Sequence, residues 1–172
     1  MITGDFNGDG KTDFLRQQKF QWSYDNQLVT TYLSQGDGTF NTVNTNYPSP
    51  VANDFSAIIQ TGDFNGDRKT DFIRQNKDSG GSNFQVVLSN GDGTFYAINP
   101  SGNAGSTTYN YQTSLLGNPG VNLIMGDYNG DGKTDFIRQE KSGWDNDKDS
   151  TFSVWLSNGN GTFNPITPSG DV

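Results

Sequence analysis

Three stretches of this chain carry oxygen ligands at one repeated spacing. They read GDFNGDGKTDF from Gly4, GDFNGDRKTDF from Gly62 and GDYNGDGKTDF from Gly126. In the first, side-chain oxygens fall at loop positions 1, 3, 5 and 9, on Asp5, Asn7, Asp9 and Asp13, and the backbone carbonyl of Lys11 falls at position 7. The second supplies Asp63, Asn65, Asp67, the Lys69 carbonyl and Asp71. The third supplies Asp127, Asn129, Asp131, the Lys133 carbonyl and Asp135. Hard oxygen donors at such intervals suit calcium. Gly10 and Gly132 stand at position 6, where a sharp turn needs a residue free to take positive φ. The second loop has Arg68 there, which would cost about 1 kcal/mol if φ is positive. Its site is expected to be weaker or reshaped.

These loops are not EF-hands. Position 12 is Arg16, Arg74 or Arg138 rather than glutamate, and the flanking segments read as strands. The competing reading is a set of Asx-rich hairpin turns with no metal. Charge argues for the cation. Nine of the 19 acidic residues lie in the three loops, and carboxylates so placed repel one another without a counter-ion. About three structural Ca²⁺ are expected per chain, with binding energy converted into folding energy.

The rest of the composition fits a chain with little core. It has 22 glycines, one glutamate (Glu140) and four alanines, and 30% hydrophobic residues. Such materials make poor helices. Aromatic and β-branched residues recur in short runs between Gly, Asn, Asp and Ser clusters, as in sheets joined by turns. A net charge of −8 disfavours nucleic acid and anionic membranes. With no cysteine and no histidine, thiol chemistry and the commonest general base are absent. Most of the repeated acids are assigned to the metal loops and Glu140 is the single glutamate, so no pair of carboxylates stands out for catalysis and no enzyme is expected. No apolar run is long enough to span a bilayer and no signal peptide is visible. Calcium sites of modest affinity suit an extracellular or cell-surface setting, where the ion is abundant.

Two further motifs keep step with the acidic loops. LSQGDGTF from Leu33, LSNGDGTF from Leu88 and LSNGNGTF from Leu156 form one set. RQQK from Arg16, RQNK from Arg74 and RQEK from Arg138 form the other. The chain therefore divides into three units, 1–53, 54–119 and 120–172. Each unit reads as four short strands: one entering the acidic loop, one leaving it, one alternating, and one after a tight GDG or GNG turn. Pro-, Gly- and Ser-rich segments such as NYPSP and NPSGNAGSTTYN join the units.

The acidic loop followed by LSNGDGTF resembles the FG-GAP (VCBS) repeat family. That resemblance implies β-propeller blades with calcium in the hairpin between the first two strands, as in integrin α heads and a fungal N-acetylglucosamine-binding propeller lectin. It implies an all-β fold of three four-stranded antiparallel blades. Rings of this kind hold about seven blades. Three blades would leave two apolar faces uncovered. The chain is therefore expected to close its ring by head-to-tail oligomerisation, as a dimer in preference to a trimer, or to be a piece of a longer propeller. A three-fold trefoil would not explain the acidic loops.

The RQ pairs are the candidate ligand-binding residues: Arg16 with Gln17, Arg74 with Gln75, Arg138 with Gln139. They offer several donors for hydroxyl or carboxylate oxygens. Trp22 and Trp144 follow six residues after the arginines of the first and third units, and Gly80 holds that place in the second. An aromatic face beside polar donors suits a sugar ring. The alternative is packing: Arg alternates with Phe on one strand face and Gln points the other way, so Arg could serve the contact between blades. Trp155, at the place of Tyr32 and Val87, reads as packing, and DNDKD at 145–149 as a solvated hairpin tip. The expectation is a calcium-stabilised carbohydrate-binding protein with repeated sugar sites between blades, N-acetylglucosamine-type ligands being the candidates the resemblance implies. An integrin-like adhesion or scaffold module that binds protein is the alternative.

Overall fold

A computed structural model describes residues 1–18, 28–45, 58–75, 84–98, 121–140 and 152–166. Trp22, Trp144, Gly80, the DNDKD segment and the connections between units lie outside the described residues. Among the described residues the fold is all-β, with twelve strands and no helix. The first unit holds β1 (Ile2–Gly4), β2 (Asp13–Gln18), β3 (Leu28–Ser34) and β4 (Phe40–Thr45). The second holds β5 (Ile58–Gly62), β6 (Asp71–Gln75), β7 (Phe84–Ser89) and β8 (Phe95–Ile98). The third holds β9 (Val121–Gly126), β10 (Asp135–Glu140), β11 (Phe152–Ser157) and β12 (Phe163–Ile166). Each unit is one four-stranded antiparallel sheet in sequence order, the architecture of a propeller blade.

Period-two alternation gives every blade two apolar faces. Cross-strand register places Phe72 beside Val87, and Phe136 beside Trp155. These residues form the leading face of their blades. The trailing face carries the opposite set, such as Leu15 and Thr31 in the first blade and Ile73 and Val86 in the second.

The core lies between blades. Phe6, Leu15 and Val29 of the first blade's trailing face pack with Phe72 and Val87 of the second blade's leading face. Phe64, Ile73, Val86 and Leu88 of the second blade pack in turn with Phe136, Trp155 and Phe163 of the third. Phe6 and Phe64, from the acidic loops, are fully buried. Each contributes about 2–3 kcal/mol by burial. Their rings meet Phe95 and Phe163 edge to face at 5.2 and 5.9 Å. Trp155 stacks on Phe136 at 5.7 Å, and its indole N–H donates to Ser153 Oγ at 2.9 Å, so it is a packing residue. The outer faces differ. On the first blade's leading face Phe14 stacks on Tyr32 at 4.3 Å, and Phe40 is 41% exposed. On the third blade's trailing face Tyr128 is 42% exposed, where its counterparts Phe6 and Phe64 are buried.

Candidate functional site

The three acidic loops each link the first two strands of a blade. They share one hydrogen-bond pattern because an Asp or Asn side chain readily accepts amides a few residues onward. Asp5 Oδ1 accepts the Gly8 and Asp9 amides at 2.7 and 3.1 Å, and its Oδ2 accepts the Gly10 amide at 2.8 Å. Asn7 Oδ1 accepts the Asp9 amide at 3.0 Å, and Asp9 Oδ1 the Lys11 amide at 2.9 Å. Asp63 and Asp127 repeat the arrangement of Asp5. The turn demands positive φ at position 6: 81° at Gly10, 83° at Gly132 and 67° at Arg68. Arg68 is the only non-glycine residue in that region among the described residues.

The ninth-position aspartates do something the spacing alone did not reveal. Asp13, Asp71 and Asp135 are fully buried. Asp71 Oδ2 accepts the Phe64 amide at 3.0 Å, and Oδ1 accepts the Ser89 amide at 2.8 Å. One carboxylate therefore ties the acidic loop to the end of the third strand. Asp13 bridges Phe6 and Ser34, and Asp135 bridges Tyr128 and Ser157, in the same way. Burial pushes the Asp71 carboxyl up to about 7, against the pull of the two amides. At position 5 the lysine two residues on counters the charge: Lys11 Nζ reaches Asp9 at 2.7 Å, Lys133 reaches Asp131 at 2.6 Å, and Lys69 pairs with Asp67. The hydrogen bond from the Lys11 side chain holds the Asp9 carboxyl below its usual value.

Among the described residues, no three Asp, Glu, His or Cys side chains come together as a metal-binding group. The carboxylates are engaged by amides and ammonium groups instead. The donor set still fits a hard divalent cation in its chemistry. A carboxylate has about four lone-pair sites, and the contacts above use two on Asp9 and two on Asp13.

The blades are joined by a second, unanticipated constellation. The Thr70 amide donates to the Asp5 carbonyl at 2.6 Å, and the Asp5 amide donates to Thr70 Oγ1 at 2.9 Å. Thr134 makes the same two bonds to Asp63. Ser89 Oγ donates to the Phe6 carbonyl, and Ser157 Oγ to the Phe64 carbonyl, each at 2.6 Å. The close approach requires glycine. A Cβ on Gly4 would sit 2.4 Å from Thr70 Cγ2, and one on Gly62 would sit 2.6 Å from Thr134 Cγ2. The available signal was the repetition of Thr in KTD and of Ser in LS(Q/N)G, which the ligand reading passed over.

The RQ pairs lie on β2, β6 and β10, and the structure separates them. Arg74 and Arg138 are each 6% exposed, on the leading faces that meet the preceding blade. They have little surface left to offer a ligand. Arg16, on the first blade's leading face, is exposed. Gln17 and Gln139 are half-buried on the opposite faces, and Gln75 occupies the equivalent strand position on β6.

Three four-stranded blades with repeated acidic hairpins define a repeat protein of propeller type. The FG-GAP-like repeat matches residues 5–74 and 63–138, and the chain belongs to that family. Each match runs from the first aspartate of one acidic loop to the arginine after the next, so each spans a blade junction. Curated proteins return no match. Among solved structures, a lectin of Agrocybe aegerita, described as specifically recognising non-reducing terminal N-acetylglucosamine, is similar with a TM-score of 0.58 and 20% identity. The match covers 95% of this chain and 36% of that one, so the chain spans little more than a third of that neighbour's length. At this identity the likeness is one of fold.

Proposed function

We propose that the chain is a carbohydrate-binding protein that works by recognition and not by catalysis, with repeated sugar sites at its blade junctions. The observation that carries the reading is the likeness of fold, over 95% of the chain, to a lectin that recognises terminal N-acetylglucosamine. A terminal N-acetylhexosamine is accordingly the first ligand to test. Exposed Arg16, and half-buried Gln17 and Gln139 near the ends of β2 and β10 on the opposite faces, supply donors for hydroxyl oxygens. Trp22 and Trp144 are the aromatic candidates, on the strength of their place after RQ in the sequence. Equivalent sites in one molecule would gain avidity on clustered glycans.

Calcium is part of the same proposal. Asp5, Asn7, Asp9, the Lys11 carbonyl and Asp13, with their equivalents in the other two loops, would hold it. A bound cation would offset the loop carboxylates and stiffen the hairpin that carries Phe6, Phe64 or Tyr128. Its setting would be outside the cell, where calcium is abundant.

The test is a glycan array on labelled protein in millimolar calcium, with a parallel array in chelator. Discrete hits on terminal N-acetylhexosamines that weaken in chelator, and that Trp22→Ala and Trp144→Ala abolish without unfolding the chain, would bear the reading out. A blank array from folded protein would sink it and turn the search to protein partners.

A further inference from the structure

We propose that the leading face of the first blade docks on the trailing face of the third blade of a second copy of this chain, through the junction that the chain already makes twice within itself. Both halves of that junction are present, one at each end. Thr12 is the counterpart of Thr70 and Thr134, and it is exposed where they are half-buried. Gly126 and Asp127 are the counterparts of Gly4 and Asp5, and Asp127 is exposed where Asp5 and Asp63 are half-buried. Docking would let the Thr12 amide donate to the Asp127 carbonyl, and the Asp127 amide donate to Thr12 Oγ1.

The apolar parts match as well. Phe40 is 41% exposed, whereas its counterpart Phe163 is buried against Phe64. Tyr128 is 42% exposed, whereas Phe6 and Phe64 are buried by the following blade. The turn glycines give a third sign. A Cβ on Gly93 or Gly161 would press on Val43 or Ile98 of the preceding blade, whereas one on Gly38 would meet nothing within 4 Å. A Cβ on Gly8 or Gly66 would meet the following blade's Lys69 or Lys133, whereas one on Gly130 would meet nothing within 4 Å. The occupant that fits all three is another leading face of this sequence, because the contact continues an interface the chain already forms.

One residue stands in the way. The Tyr128 ring lies 3.1 Å from where a Cβ on Gly126 would be, in the space that Thr70 takes at Gly4, and its hydroxyl donates to the Ile124 carbonyl at 3.2 Å. Docking requires that ring to swing to the position of Phe6 and Phe64. Such a contact is heterologous: each copy offers one leading and one trailing face, so two copies close on each other when both junctions form. Each copy carries −8, so association strengthens as salt screens the repulsion.

The experiment is sedimentation equilibrium or light scattering on the chain across concentration and salt. The expected mass is twice 18.8 kDa, or a higher whole multiple, in place of 18.8 kDa. Gly126→Val should return the protein to 18.8 kDa with its circular dichroism kept, because a Cβ there would clash with the incoming Thr12 and touches neither internal junction. Thr12→Val, at an exposed position, should weaken association by about tenfold, and Tyr128→Phe should tighten it about fivefold. A mass of 18.8 kDa at about 100 µM and high salt would overturn the proposal and assign the two faces to blades of a longer polypeptide. Assembly indifferent to both Gly126→Val and Thr12→Val would overturn it too.

Discussion

Thr134 and Asp63 hold each other by two hydrogen bonds across the junction of the second and third blades. The Thr134 amide donates to the Asp63 carbonyl at 2.6 Å, and the Asp63 amide donates to Thr134 Oγ1 at 2.9 Å. The same pair of bonds joins Thr70 to Asp5. A backbone bond and a side-chain bond in opposite senses fix the register of one blade on the next, and apolar packing alone would leave that register free to slide.

Thr134→Val removes the hydroxyl and keeps the shape. The half-buried Asp63 amide then loses its acceptor. The expected cost is about 1–2 kcal/mol, read as a lowered midpoint in urea with unchanged slope. Thr134→Ser should lose less than half of that. Equal stability of Thr134→Val and the parent would remove the hydroxyl from the account of the junction.

Gly62 is needed for proximity. Gly62→Ala places a Cβ 2.6 Å from Thr134 Cγ2. The blades must part or the threonine must leave its rotamer, at about 1–3 kcal/mol. Pairing this change with Thr134→Ser, which removes the offending Cγ2, should recover a measurable part of the loss in a double-mutant cycle. Strict additivity would show that the clash is not with Thr134 Cγ2.

Asp71→Asn tests the carboxylate bridge. The Phe64 and Ser89 amides bond different carboxylate oxygens, and the amide side chain replaces one of those oxygens with an NH2 donor, so one of the two amides loses its acceptor. In chelator, where no cation can contribute, the expected cost is about 1–3 kcal/mol by urea denaturation. If the cost appears only in calcium, the bridge is idle and the aspartate serves the ion alone.

Arg68→Gly relieves the strained turn. Arg68 sits at φ 67°. Left-handed geometry costs a non-glycine residue about 1–2 kcal/mol, and glycine gives back part of that through its freedom in the unfolded chain. A net gain of about 0.5 kcal/mol is expected in chelator. On the calcium reading, titration calorimetry should show three sites in the parent, one of them weaker, and three similar sites in the variant. Three sites already alike in the parent would mean that Arg68 does not handicap its loop.

Much of this protein is local, and what is local was readable in the sequence. The sheet count, the four strands per blade and the turns follow from residues a few places apart: Gly10 at a left-handed position, Asp5 capping the amides just after it, alternation along FQVVLS. Short-range hydrogen bonds and side-chain period leave a direct imprint on sequence order. The same reading set the second acidic loop apart by Arg68 but had no means of telling the first from the third, and it left Arg16, Arg74 and Arg138 between ligand binding and packing. Only the tertiary structure could separate them. Whether Arg16 is exposed and Arg74 buried depends on whether a blade precedes theirs, and so does the difference between Phe64 and Tyr128. The bond from the Asp5 amide to Thr70 links residues 65 apart. Its partners are chosen by how two curved sheets stack, through apolar contact and close backbone approach. No periodicity within one repeat encodes that choice, because each repeat carries the same letters whether or not it has a neighbour.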